Sequence, residues 1–290
     1  MSLTLTGPWK VSKHLSYVEE TTFGTTPTNP TTVNAGLISE LTPTSEITAT
    51  KYRALGNADV AAGLKCGELY SFSVKYNPAV LMLANYGLKL DTGLTGTNGK
   101  SLSMVYSISL SGTENYVVFR GCKTDSVDIE ITPDSLECTQ NFICKSIAAP
   151  SSAHGLGANT VFAAASSSTP LCGTDSSQLT WNSQTYDETS FKVTVAQNLE
   201  ARRTVGQQQI QYLTSTNRDI TFDFTVPSTG TVLIADALAM TSRTMSIVVG
   251  AATLTFTNAY LTQYNYTLSA GASATQEESY TGFARTLTVT

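Results

Sequence analysis

Alternation of apolar and polar residues with a period of two dominates the chain. Residues 71–76 read Ser-Phe-Ser-Val-Lys-Tyr and residues 219–226 read Asp-Ile-Thr-Phe-Asp-Phe-Thr-Val, so each segment presents one apolar and one polar face. The same period runs through Val127, Ile129 and Ile131, through Leu254 and Phe256, and through Phe283, Leu287 and Val289 with a slip near Arg285. Such segments predict half-buried antiparallel strands with one solvated face. Two segments predict helix. Residues 78–86 follow Asn77, a good N-cap, place Pro78 at the first helical position and stop at Gly87. Residues 232–240 carry Val232, Leu233, Ala235, Leu238 and Met240 behind a first turn weakened by Gly230.

The order of these elements repeats. Residues 46–53 and 68–76 flank a Gly/Ala-bearing loop, then come the first helix and strand runs at 116–119 and 126–131. Residues 191–203 and 210–226 likewise precede the second helix and runs at 252–257 and 261–268. Identity between the halves is low, so the repeat is one of element order. This predicts a mainly β chain of two tandem sandwich- or barrel-like domains, each with a short flanking helix and a long hairpin. The first spans residues 1–147 with an amino-terminal arm and the second residues 178–290. Between them, residues 148–177 are rich in Ala, Ser, Gly and Thr, with Pro150 and Pro170 and one expected strand at 160–163. They read either as a flexible connection or as an arm lying across a neighbouring subunit. Residues 23–33 hold two prolines, which keep the preceding residues extended, and form a second candidate arm.

Composition narrows the function. Charged residues make up 13% of the 290, about half the roughly 25% of an average soluble protein. A surface so poor in charge is covered by hydroxyls and amides, or by another copy of the chain. The net charge of −5 supplies no cluster of Lys and Arg for tight binding to phosphates, so contact with DNA is expected to be weak. Gly7, Pro8 and Trp9 interrupt the amino terminus where a signal peptide needs about 7 to 15 apolar residues. No run of about 18 apolar residues offers a membrane span, and the expected compartment is the cytosol. The five cysteines (Cys66, Cys122, Cys138, Cys144 and Cys172) are too widely spaced for a zinc ribbon or a CxxC motif and are expected to be small buried apolar residues.

The inventory for catalysis is thin. His14 and His154 are the two histidines, one beside Lys13 and one in the Ala/Ser connection, so a nucleophile–base pair would draw its base from loosely held chain. Gly155-Leu156-Gly157 lacks the third glycine and the strand-to-helix setting of a nucleotide site, and no GxxxxGK[ST] run occurs. Neighbouring residues on a strand face opposite ways, so Glu19-Glu20 and Glu277-Glu278 read as solvated surface rather than a cation site. Asn265-Tyr266-Thr267 matches a glycosylation acceptor by pattern alone. No catalytic, cofactor-binding or metal-ligating residue is assigned, and no enzyme is expected. Trp9, Trp181, Tyr260, Tyr264 and Tyr266 would suit a sugar platform in an adhesive or carbohydrate-binding fibre or surface module, the alternative function; their alternation fits core or interface strands better.

The hairpins ahead of each helix have arms longer than the typical strand of about 5 to 6 residues, and long exposed edges call for a partner. At this point the chain resembles a family. Residues 17–27, Tyr-Val-Glu-Glu-Thr-Thr-Phe-Gly-Thr-Thr-Pro, resemble the amino-terminal signature V-E-E-x-x-[YF]-G-T-x-P of tail tube (major tail) proteins of long-tailed phages and related archaeal viruses. Residues 119–131 are similar to the strand-turn-strand near the end of each tube domain. The resemblance implies a structural virion protein, assembled in the host cytoplasm, whose hairpins pair into a barrel around a channel for the genome while rings stack through loops and arms. Its partners would be itself, the tape-measure, terminator and distal tail proteins, and transiently the genomic double-stranded DNA, with no membrane and no cofactor. A duplicated chain would close a pseudo-six-fold ring from three copies, with a ring of six as runner-up. The lumen candidates are Thr48, Thr50, Asp59, Glu68, Glu200, Gln207 and Gln209; the inter-subunit candidates are Arg202 and Arg203, facing a carboxylate across the boundary, with Phe23 and Pro27.

Overall fold

A computed structural model of the protein describes residues 10–53, 59–60, 62–89, 100–110, 113–152, 155–162, 169–176, 178–227, 232–266 and 277–290. The first half contains β1 (Lys10–Glu19), β2 (Val33–Asn34), β3 (Leu37–Tyr52), β4 (Ala62–Asn77), α1 (Asn85–Leu88), β5 (Leu102–Leu110), β6 (Thr113–Ile131), β7 (Leu136–Cys144) and β8 (Ser146–Ser151). The second contains β9 (Leu179–Trp181), β10 (Gln184–Tyr186), β11 (Ser190–Ala196), β12 (Leu199–Arg202), β13 (Tyr212–Ser215), β14 (Asp219–Pro227), α2 (Val232–Ala239), β15 (Arg243–Val249), β16 (Ala252–Tyr266) and β17 (Glu277–Val289). The chain is mainly β, as the period of two predicts, and the alternation of burial along β7, β11, β14 and the part of β4 from Glu68 onward follows the sequence residue by residue.

Several boundaries differ from the sequence reading. The helix expected at residues 78–86 is a turn at 81–84 followed by the four-residue α1. Asn77 does not cap it, because Asn77 still pairs with Leu37 in the sheet and its Nδ2 donates to the Leu136 carbonyl at 2.8 Å. Without that cap, and with Leu81, Leu83, Ala84 and Leu88 all held in the core, packing rather than propensity sets the local path. The second helix forms where expected and ends at Met240, whose φ of 47° reverses the chain. The runs at 116–119 and 126–131 belong to one strand, β6, since Gly121 at φ 64° lets it bend without stopping. The runs at 252–257 and 261–268 likewise join in β16, with Asn258 at φ 52°; residues 267 and 268 lie outside the described residues. Conversely, the long second hairpin is divided at residues 197–198 and 216–218 into β11 with β12 and β13 with β14.

The pairing order is β2-β1-β5-β6-β7-β4-β3 in the first half and β10-β9-β15-β16-β17-β14-β11 in the second. The irregularities also coincide. The β6–β7 ladder slips between Thr124 and Ser126, opposite Phe142 and Asn141, while β16–β17 slips between Leu261 and Gln263, opposite Gly282 and Thr281. The β5–β6 ladder slips between Leu102 and Met104, opposite Cys122 and Phe119, and β15–β16 slips between Arg243 and Met245, opposite Ala259 and Phe256. Gly121 and Asn258, the residues with positive φ, fall inside this second pair of slips.

One ladder joins the halves. Residues 126–131 of β6 pair antiparallel with residues 191–196 of β11, so most strands belong to one 15-stranded hydrogen-bonded network, with β12–β13 a separate pair. The core is accordingly continuous. Phe72 stacks on Phe142 at 4.8 Å between ring centres, and Trp181, Phe191, Phe222, Phe224 and Phe256 fill the second half. Of residues 148–177, β8 pairs with β6 and Leu156, 3% exposed, packs with Val105 and Val118 on the first half, whereas residues 171–176 reach the second half: Ser176 bridges to Val249, and Gly250 N donates to the Asp175 carbonyl at 2.9 Å. The strand expected at 160–163 is reduced to a bridge between Thr31 and Val161. Cys122, Cys138 and Cys144 are buried as expected, whereas Cys66 is exposed and Cys172 half-buried, because each sits outside the alternating core positions.

Candidate functional site

Two features offer material for assembly: the hairpins and the amino-terminal loop. β4 pairs with β7 only from Tyr70 to Tyr76, so the outer parts of β3 and β4 leave the sheet as a free-standing ribbon. Every residue from 42 to 52 and from 62 to 66 is exposed, including Ile47, Tyr52 and Leu64 at 57%, 51% and 55%. Apolar side chains on both faces of a ribbon are costly in water, and natural sheets cover such edges. The β12–β13 hairpin projects beside it. Glu68 N donates to the Gln208 carbonyl at 3.1 Å and Gln208 Nε2 to the Lys65 carbonyl at 3.2 Å, so the two hairpins of one chain lie side by side.

Of the lumen candidates, Thr48, Thr50, Asp59, Glu200, Gln207 and Gln209 are exposed on these hairpins. Glu68 is set apart at 7% exposure. Its carboxylate is ion-paired to Lys65 and accepts the Tyr70 hydroxyl, contacts that hold it below the usual carboxylate range, the Lys65 bond contributing most. Burial, with that carboxylate adding to it, pushes the Tyr70 phenol up to about 12. Arg202 pairs with Glu200 two residues away at 2.9 Å, on an exposed surface where such a pair contributes little. The Arg203 guanidinium lies against Gly67, in space that any side chain there would fill, and its charge adds to the stabilisation of ionised Glu68. Both arginines thus meet groups of their own chain.

The Glu19-Glu20 pair departs from the solvated surface expected of it. β1 ends at Glu19, and the following loop turns at Gly24, φ 74°, so that the Glu20 carboxylate points inward and is 9% exposed. Each of its oxygens accepts one backbone and one side-chain donor. Oε1 takes Gly121 N at 2.9 Å and Ser103 Oγ at 2.5 Å, and Oε2 takes Gly24 N at 2.8 Å and Ser101 Oγ at 2.6 Å. Thr26 continues the network to Ser103 at 2.6 Å and accepts Arg120 Nε at 3.2 Å. Glu19 faces outward to Lys100 at 2.9 Å and accepts the Tyr86 hydroxyl, which is the main reason its pKa lies below the ordinary value. Phe23, half-buried, carries the Lys145 ammonium 5.4 Å above its ring. Pro27 is half-buried in the same loop. The loop is therefore pinned to its own fold, and a carboxylate that satisfies four donors is what Glu in this motif provides.

Sequence reasoning did not single out Asp236, whose carboxylate takes Arg243 Nε at 3.0 Å, Arg243 Nη2 at 2.8 Å and Trp181 Nε1 at 2.9 Å. An acid on the inner side of a short helix was the available signal. Trp181 is fully buried by this arrangement, which removes it from any sugar platform; Trp9 lies outside the described residues. Among the described residues no cluster of three His, Cys, Asp or Glu side chains has the spacing of a metal site, and no helix is long and apolar enough to cross a membrane. The backbone of His14 runs in β1 and His154 lies outside the described residues.

No curated protein sequence matches the chain at a significant level. The family model for the phage tail tube protein matches residues 12–284, a span that takes in the Glu20 loop, both projecting hairpins and the ladder that joins the halves. This chain belongs to the phage tail tube protein family, and its role is that of a self-assembling structural component of the virion tail.

Proposed function

We propose that three copies of this chain close a ring, that each copy supplies two quasi-equivalent units, and that stacked rings form the conduit through which double-stranded DNA leaves the virion. The observation that carries this reading is the twofold recurrence of one seven-strand pairing order, with its slips at matching positions, joined through β6 and β11. Two units per chain make three chains the natural complement of a six-fold wall, and closed cyclic symmetry leaves no strand edge unpaired. The exposed ribbons of β3–β4 and β12–β13 would line the bore, with Thr48, Thr50, Asp59, Glu200, Gln207 and Gln209 presented to the DNA and Glu68 retained as an internal strut. Hydroxyls, amides and a few carboxylates repel phosphates weakly and offer no cation cluster to hold them, so the duplex slides. The function is mechanical and calls for no catalysis. Tape-measure, terminator and distal tail proteins would cap and gauge the tube, which is assembled in the host cytoplasm.

Electron micrographs of the purified protein test this directly. Rings or hollow filaments whose averaged projections show three chains per ring are expected. Six full-length chains per ring would overturn the two-unit reading, and a protein that stays monomeric at every concentration would overturn the tube itself.

A further inference from the structure

The ladder between β6 and β11 shows how an edge strand of one half seats on the other. β7 and β8, separated by Lys145 alone, run along one edge of β6. β5 lines the opposite edge as far as Cys122, and β11 takes that edge over from Ser126. In the second half β15 lines the corresponding edge of β16 only as far as Ala259. Among the described residues no strand pairs with that edge over residues 260–266. In the first half, no strand but β4 pairs with β3 among the described residues, which leaves the outer edge of β3 without a strand partner there.

The coincident slips give the register. Ser126 faces Asn141 and Gln263 faces Thr281 immediately after the slip, which makes Ser126 and Gln263 equivalent. Before it, Phe142 corresponds to Gly282. Phe142 faces Phe72, which faces Pro43; Gly282 faces Phe222, which faces Val193. Pro43 thus corresponds to Val193. Within the chain Val193 pairs with Ile129 and Ala196 with Ser126. We propose that residues 43–46 of β3 in one copy add antiparallel to residues 263–266 of β16 in another, with Pro43 opposite Tyr266, Thr44 opposite Asn265, Ser45 opposite Tyr264 and Glu46 opposite Gln263. This rests on the reading of the chain as two quasi-equivalent units in a ring.

The side chains support the assignment. Tyr266, 55% exposed, takes the position of Ile129, which is fully buried where β11 pairs with β6, and Tyr264 takes that of the fully buried Val127. The two tyrosines stack with ring centres 6.1 Å apart, forming an apolar shelf along a bare edge. Opposite it β3 brings Pro43, which lacks an N–H and is tolerated on an edge strand. The contact is head-to-tail, so it propagates until a ring closes.

Hydrogen exchange on the wild-type protein, compared between dilute monomer and assembled rings, tests the pairing. Alternate amides in segments 44–46 and 263–266 are expected to slow at least about tenfold on assembly, as edge groups gain partners, while 126–131 and 191–196 are protected in both states. Rings in which these segments exchange as fast as in the monomer would overturn the pairing and leave the ring reading standing. A protein that never assembles overturns both. The register is tested by S45C/Y264C, with Cys66→Ser, oxidised by glutathione disulfide: a ladder of covalent multimers is expected, because opposed strand residues bring their Cα atoms within disulfide reach. S45C/N265C places the thiols on opposite faces and should give none. Equal cross-linking by both pairs would overturn the register, and if the variants fail to assemble the wild-type exchange measurement decides.

Discussion

Replacing Glu20 is the sharpest probe of the amino-terminal loop, because the two oxygens of its carboxylate are used alike. Each accepts one backbone N–H and one serine hydroxyl. In E20Q the amide group must occupy one of these positions whichever way it flips, and it faces a backbone N–H that cannot turn away. The serine hydroxyls can rotate and accept instead, and Ser103 already has Thr26 within 2.6 Å. The cost of E20Q is therefore one buried donor left unpaired, about 1–3 kcal/mol, and that of E20A two such donors, about 2–6 kcal/mol. Urea unfolding at a concentration too low for assembly should show E20A less stable than E20Q, and E20Q less stable than wild type, with an unchanged dependence on denaturant. If E20Q matched wild type within about 0.5 kcal/mol, or if E20A were no worse than E20Q, the donors would be satisfied by other means and the reasoning would fail.

Other expectations follow from the same contacts. Arg243, and then Trp181, hold the Asp236 carboxyl below its ordinary value, so its contribution is complete above the unfolded value of about 4 and disappears as pH falls through the lower folded value; D236N should cost about 1–3 kcal/mol at pH 7, and the gap from wild type in melting experiments should narrow below pH 4, a constant gap from pH 7 to 3 being the contrary result. A Cβ on Gly282 would lie 2.5 Å from Phe222 Cζ and against the Tyr260 carbonyl; G282V is expected to lose about 1–3 kcal/mol by overpacking, and thermal unfolding at the wild-type temperature would contradict the close approach. D59N/E200Q should leave rings intact while slowing DNA release from reconstituted virions, since Arg202 loses its partner and the bore turns more cationic; unchanged release together with unchanged assembly would remove these residues from the lumen.

The loop motif was readable as a resemblance before its chemistry was visible. Nothing in the order Val-Glu-Glu says which glutamate turns inward, since alternation puts the two on opposite faces and charge alone reads both as solvated; Gly24 and the approach of Gly121 and two serines from distant strands decide it. The helix at 78–86 shows the opposite failure. Its local signals were sound, but Asn77 was already committed to a carbonyl of β7, and a side chain used across the sheet cannot also cap a helix.

What the sequence alone determined was the alternation that makes the chain β, the recurrence of element order, and a composition poor in charge and histidine. These are legible because side-chain periodicity and composition are local or summed properties. The tertiary structure decided which edges are occupied: that β11 closes the edge of β6 inside the chain, that among the described residues no strand pairs with the matching edge of β16, and that the side chains of residues 42–52 and 62–66 on the β3–β4 ribbon are exposed. Backbone N–H and C=O groups are the same in every residue, so the sequence does not mark which strand pairs with which; only the register imposed by packing the apolar faces together does.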